Sequence, residues 1–172
     1  MKYKILKDHC KEHEGTKVYR VIAAKDFLAK NGKVVEAGTI GGYIASPKNL
    51  SQEGNCWIAD DAVVCDDAVV RDDALVSGYA VVCDDALVSG YAAVCDNALV
   101  RDNAVVRDNA AVGGYAVVRD NAEVCDDAVV RGSARVIDDA QVHDRVVLNG
   151  KAIVCDNAYV GGDGEIEGTM IE

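Results

Sequence analysis

The chain has very little aromatic mass. Of its 172 residues 5% are aromatic, with one Phe and one Trp, and there are only two Met and a single proline, Pro47. A core of large side chains is therefore out of reach. The hydrophobic half of the composition is nearly all Val and Ala, which suits thin, regular strands. Long apolar runs are missing as well, and Lys2, Lys4 and Lys7 interrupt the only early one. That pattern fits neither a spanning helix nor a secretory leader, so a cytoplasmic chain with no membrane contact is expected. Seven Cys is an odd number and no CxxC pair occurs, which argues for free thiols in a reducing compartment.

Charge of one sign is scarce in each half. Residues 1–55 hold ten Lys/Arg against six Asp/Glu, whereas residues 56–166 hold eight against twenty-one. A basic head is joined to an acidic body. The body should repel nucleic acid and anionic membrane, so no direct nucleic-acid binding by the acidic body is expected and its partner is expected to be a basic protein.

What is present is a repeat. Stepping by six from Ile58 to Ile166 gives nineteen positions, all Val, Ile or Leu. The same step from Ala62 to Ala158 gives seventeen positions, and all but Val146 are Ala. Residues two apart share a face of an extended strand, so each rung Ala-x-Val points both side chains inward and turns at the following Asp-Asn, Asp-Asp or Gly-Tyr pair. An α-helix would spread a six-residue period around its surface. Asn, Asp and Gly tolerate the left-handed backbone of tight corners. Tyr79, Tyr91 and Tyr115 break that rule at the sixth position, each after a Gly.

The number of rungs per turn follows from the corners. Every eighteenth residue from Asp66 is Asp: Asp84, Asp102, Asp120, Asp138 and Asp156. The same step from Gly78 gives Asp96, Gly114, Gly132, Gly150 and Gly168. Three rungs per turn make a triangular prism of about six coils of 18 residues. The predicted organisation is all-β: an N-terminal basic cap over 1–53, a parallel β-helix over 54–168 and a tail over 169–172. Ile40, eighteen residues before Ile58, suggests a first coil beginning near Gly38, with Pro47 in a loop. The head would cover strand edges that an open solenoid end exposes.

The pattern Val-x-Asp-Asn-Ala-x resembles the hexapeptide repeat of the left-handed β-helix superfamily, whose best-known members are acyltransferases. The run Gly41-Gly-Tyr-Ile44 followed by Asn49 to Ile58 resembles the entry segment of uncharacterised bacterial and phage hexapeptide-repeat proteins. The resemblance implies a left-handed coil, since parallel crossovers are otherwise right-handed. It also implies pairing or trimerisation through flat faces.

Acyltransferases of that superfamily use a His as general base at a subunit boundary. Of His9, His13 and His143 only His143 lies in the repeat, at an outward position normally filled by Arg, Cys or Ser. It is a weak catalytic candidate, read mainly as a solvated side chain. The repeat has no insertion between Ala62 and Gly168 to build a coenzyme pocket, and three His converging on one zinc, as in a carbonic anhydrase of this fold, are lacking. No cofactor and no metal are expected. Three Thr exclude the ranked Thr arrays of ice-binding surfaces. Cys65 and Cys83 share an outward column about 4.8 Å apart, close enough for a disulfide or soft metal, but Cys alternates with Arg there and reads as a small tolerated side chain.

Two surface features remain. The column Asp66, Asp84, Asp102, Asp120, Asp138 and Asp156 carries self-repulsion of roughly 1 kcal/mol per adjacent pair in water. Turn N–H groups and Arg71, Arg101, Arg107, Arg119 and Arg131 are expected to offset it, and imitation of a phosphate backbone is the sharper alternative. The outward residues Val63, Val81, Leu99, Val117 and Ile153, interrupted by Arg135, form an apolar strip that marks a contact with another chain, first of all a second copy in a dimer or trimer. The expected function is a non-enzymatic interaction protein. Its acidic prism, in the phage setting that the resemblance implies, would inhibit a host nucleic-acid-binding defence protein by charge mimicry. An acyltransferase-like enzyme and a purely structural repeat are the alternatives.

Overall fold

A rung with corners every six residues leaves room for a strand of two residues, the first pointing out and the second in. The computed structural model, which describes residues 1–30 and 32–172, consists of such strands. Leu99–Val100, Val105–Val106 and Ala111–Val112 are three in succession, each with its second residue buried. They stack in parallel on the equivalent strands eighteen residues away. Val82, Val100 and Val118 line a first wall, Val88, Val106 and Val124 a second, and Val94, Val112 and Val130 a third. The result is a parallel β-solenoid of three sheets, with ten, six and seven strands, and no α-helix among the described residues. No helix among the described residues is long and apolar enough to cross a membrane.

The inward Val and Ala residues are at most 8% exposed from Ala62 to Val160. Each Val buried in this way contributes roughly 1.5–3 kcal/mol, against about 1–2 kcal/mol of backbone ordering per residue. One rung therefore has no stability alone, and turns must stack on one another.

About seven turns are present, one more than the repeat count gave. The additional turn comes from residues ahead of Trp57. Strand β1 (Tyr3–His13) and β2 (Thr16–Ala23) form an antiparallel hairpin, β3 (Phe27–Leu28) and β4 (Val34–Val35) a second, and β5 (Ile40–Ile44) enters the solenoid. Ile44 pairs with Val64, Leu50 with Val70 and Ile58 with Val76, so these three line the first turn. Ile40 is not the inward residue expected from its spacing. It is 53% exposed and pairs with Ile22 of β2. The reason lies in the Ser51–Asn55 loop, which puts eight residues rather than six between Leu50 and Ile58 and shifts the first turn's register.

Corners have a single left-handed residue, not two. The fifth rung position holds twelve Asp with φ between 55° and 62°, and Gly elsewhere, as at Gly78, Gly90 and Gly114. The sixth position has ordinary φ. This is why Tyr79, Tyr91 and Tyr115 are accommodated there. The one break in the Ala ladder, Val146, falls in the five-residue strand Arg145–Asn149, where it pairs with Gly164 of the next turn.

The head closes one end of the prism. Lys2 and Tyr3 are each 1% exposed. Tyr3 Oη donates to Leu50 O at 2.7 Å and Pro47 O at 3.1 Å, and Lys2 Nζ reaches Glu53 O, Gly54 O and Cys56 Sγ at 3.1–3.3 Å. Phe27 packs edge-on against Trp57 with ring centroids 5.4 Å apart. Where β5 crosses the first turn there is no space for a side chain. A Cβ on Gly42 would lie 2.4 Å from Ile58 Cγ2 and 2.6 Å from Ala62 O. The β1–β2 hairpin also leans along the first wall, where Val18 is fully buried against Val63, Cys65 and Cys83.

Candidate functional site

The all-Asp column runs along the corner between the first and second walls. On either side of the left-handed residue, the backbone N–H donates forward to the carbonyl of the next turn, as Cys83 N does to Val100 O and Asp85 N to Asp102 O, and the Ala that follows closes the corner, Ala86 N donating to Cys83 O at 3.3 Å. At the left-handed residue the N–H points the other way, toward the preceding turn, where no carbonyl meets it. A carboxylate takes it instead. Asp84 N donates to Asp66 Oδ2 at 3.4 Å, and the series continues through Asp102, Asp120, Asp138 and Asp156, each N–H 3.2 Å from the Oδ2 of the Asp one turn before. One residue type thus meets two demands of the corner, tolerance of positive φ and an acceptor for the reversed amide.

Cations offset part of the remaining charge. Arg119 pairs with Asp120 at 2.9 Å and Arg101 with Asp102 at 3.6 Å. The other three Arg expected on this column are elsewhere. Arg71 and Arg107 pair with Asp72 and Asp108 on the corner between the second and third walls, and Arg131 with Glu165. Asp66, Asp84, Asp138 and Asp156 have no Lys or Arg ion pair among the described residues.

A rule of the corners explains why Cys and Arg alternate. Of the twelve left-handed Asp, five follow a Cys, four follow an Arg and one follows His143. No Cys precedes a Gly corner. All three side chains can donate a hydrogen bond, and apart from Cys155, whose thiol meets Ile171 O at 3.5 Å, the thiols and the imidazole aim it at the Asp that follows: Cys65 Sγ lies 3.4 Å from Asp66 Oδ2, Cys83 and Cys95 Sγ lie 3.6 Å from theirs, Cys125 Sγ 3.8 Å from Asp126 Oδ2, and His143 Nδ1 lies 3.1 Å from Asp144 Oδ2. Cys is therefore more than a small tolerated residue. The signal was legible in the sequence as Cys standing before Asp corners and never before a Gly corner, a restriction Arg does not share, since Arg131 precedes Gly132.

Burial and neighbouring carboxylates favour the protonated thiol at Cys65, Cys95, Cys125 and Cys155. All seven Cys are free. Cys65 and Cys83 lie under Val18, and a hydrogen bond between the two thiols, burial and the Asp66 carboxylate push the Cys65 thiol far above its usual range. Burial pushes Cys125 up to about 11, partly opposed by Arg107.

The apolar strip of the first wall is only partly open. Val63 is 2% exposed beneath the hairpin, which takes it out of any contact with another chain, and Val81 and Leu99 pack against the same cluster. Val117 and Ile153 are half-buried on either side of exposed Arg135, and Tyr115 and Lys151 flank them.

His143 is not a solvated side chain. Its exposure is 15%, its ring lies against Tyr159 with centroids 4.0 Å apart, and it rests on Gly161, where a Cβ would come within 2.0 Å of Cε1. Nε2 is sealed inside this packing with no hydrogen-bond partner among the described residues. A general base must reach the proton it takes, and this nitrogen reaches nothing outside the protein.

Comparison with known proteins adds no function. No protein-family description matches the chain, and no curated protein matches its sequence.

Proposed function

We propose that the protein is a non-enzymatic interaction module of the hexapeptide-repeat type, left-handed as that family is. In this reading its all-Asp corner docks into the basic, nucleic-acid-binding groove of a protein partner. The observation that carries the reading is the carboxylate ladder. Its corner pairs, from Asp66 to Asn157, hold nine Asp, against three cations that pair with them, Lys48 with Asp67, Arg101 with Asp102 and Arg119 with Asp120. Every carboxylate from Asp66 to Asp138 is pinned by the amide of the next turn. Charges repeat every 4.8 Å or so, compared with about 3.4 Å along one DNA strand. Because they are already ordered, a partner would not have to immobilise them, which lowers the cost of binding. A phage inhibitor of a host defence protein, acting in the cytoplasm, is the setting this chemistry suits. Val117 and Ile153, with Val81 and Leu99 at their edge, are the face through which two or three copies would pair.

The sealed Nε2 of His143 favours binding over acyl transfer. The test is displacement of bacterial DNA-binding proteins from immobilised double-stranded DNA. The wild-type chain is expected to release a defined subset at low salt. Release at low salt should fail in a variant carrying Asp84→Asn, Asp102→Asn, Asp120→Asn and Asp138→Asn, which keeps each corner and its amide acceptor, and direct binding of the wild-type chain to a released protein, measured without DNA, should weaken steeply as salt is raised. Binding indifferent to both changes overturns the reading.

A further inference from the structure

On the corner between the second and third walls, three successive turns stack Arg107-Asp108, Cys125-Asp126 and His143-Asp144 above one another, since Val106, Val124 and Val142 pair in register. We propose that Asp126, His143 and Asp144 form a binding site for a divalent transition ion of the zinc class. This goes beyond the interaction reading and does not depend on it.

The geometry is that of a ligand set. One donor atom from each of the three residues lies within 4.8 Å of the others, and His143 Nδ1 and Asp144 Oδ2 are 3.1 Å apart. Two ligands that each stand about 2.0–2.2 Å from a common ion are roughly 3–3.5 Å from one another, so this edge needs no rearrangement. Both carboxylates are already oriented. Asp126 Oδ2 accepts Asp144 N at 3.2 Å and Asp144 Oδ2 accepts Gly162 N at 2.7 Å, the outer contacts that fix ligating carboxylates, and a carboxylate oxygen that accepts one amide keeps a lone pair for an ion. The imidazole is held just as firmly between Tyr159 and the bare backbone of Gly161, and Nε2 is sealed, so Nδ1 is the ring nitrogen that faces the carboxylates; an ion there takes the place of the proton that Nδ1 otherwise points at Asp144, and the ring proton moves to Nε2.

Charge points the same way. On this corner Arg71, Arg107 and Arg145 pair with Asp72, Asp108 and Asp163, but Asp126 and Asp144 have no Lys or Arg ion pair among the described residues. A hollow of about 590 Å³ lined by both of them, Asp127, Arg145, Gly162 and Asp163 opens the site to solvent. One imidazole nitrogen with carboxylate oxygens suits zinc or cobalt, whereas calcium and magnesium take oxygen ligands throughout. Three other mixed clusters along the edges offer sulfur in place of nitrogen, from Cys83, Cys125 and Cys155, whose thiols neighbour carboxylates.

The test is titration of the chelator-treated full chain with Zn²⁺ by calorimetry, and with Co²⁺ followed by visible absorption. One equivalent of Zn²⁺ is expected to bind and raise the thermal midpoint, and the Co²⁺ complex should show no sulfur-to-metal charge-transfer band. Asp126→Asn and Asp144→Asn keep the corner conformation and the amide acceptor, and each should weaken binding at least 10-fold, as should His143→Gln. Asp102→Asn and Asp120→Asn on the neighbouring corner should leave it unchanged. Three results overturn the proposal: wild-type affinity in Asp126→Asn and Asp144→Asn, equal losses in the Asp102 and Asp120 variants, or a charge-transfer band abolished by Cys125→Ser.

Discussion

Asp120 sits at φ 61° and accepts the amide of Asp138, so two substitutions that both remove its charge have different consequences. Asn keeps left-handed tolerance and an acceptor oxygen. Ala keeps neither. Asp120→Ala is expected to cost about 1–2 kcal/mol for the left-handed corner alone, with the unpaired amide added, while Asp120→Asn should stay within about 0.5 kcal/mol of wild type by urea unfolding. Tyr3 gives a second contrast. Burial, and next the nearby Cys56, raise its hydroxyl from 10.0 to about 12. A raised acid favours the protonated folded state, so its contribution is complete below pH 10 and is lost as pH climbs toward 12. Tyr3→Phe should lose about 1 kcal/mol at neutral pH and show a shallower alkaline decline, measured as unfolding midpoint against pH.

Among the elements, β5 is where the basic head becomes solenoid, and Gly42 is the tightest point of that crossing. Gly42→Ala must push Ile58 or the Ala62 carbonyl aside, at an expected 1–3 kcal/mol or so. Hydrogen exchange should show the loss first in Ile40–Ile44 and Trp57–Ile58, with rungs such as Val105–Val106 unaffected. The element also shows why spacing misled. A period of six assigned Ile40 to the interior by counting back from Ile58, and within the repeat the same count is right nineteen times. In the first turn an eight-residue step from Leu50 to Ile58 breaks it, and pairing with β2 decides which residue of Ile40–Ile44 faces in. Neither the longer step nor that partner belongs to the period.

For the whole molecule, the separation of charge along the axis matters more than the net −11. Carboxylates stacked at each turn repel one another through solvent, and salt screens that repulsion within about 10 Å at 0.1 M. Raising NaCl from about 0.05 to 0.5 M should therefore raise the thermal midpoint, the reverse of what a fold held by surface ion pairs would do. A midpoint that falls would mean that pairs such as Arg119–Asp120 outweigh the repulsion. The sequence by itself determined the six-residue rung, the three rungs per turn and the column Asp66 to Asp156, because a repeating shape writes its period into every inward and corner position. Tertiary structure alone decided which way the corner amide points, that Val63, Cys65 and Cys83 lie beneath Val18, and that His143 packs on Gly161 beside Asp126 and Asp144. Those contacts join residues a turn apart or on separate elements. They depend on where the head folds down and on which neighbour in the next turn lacks a side chain, and a one-dimensional period carries neither.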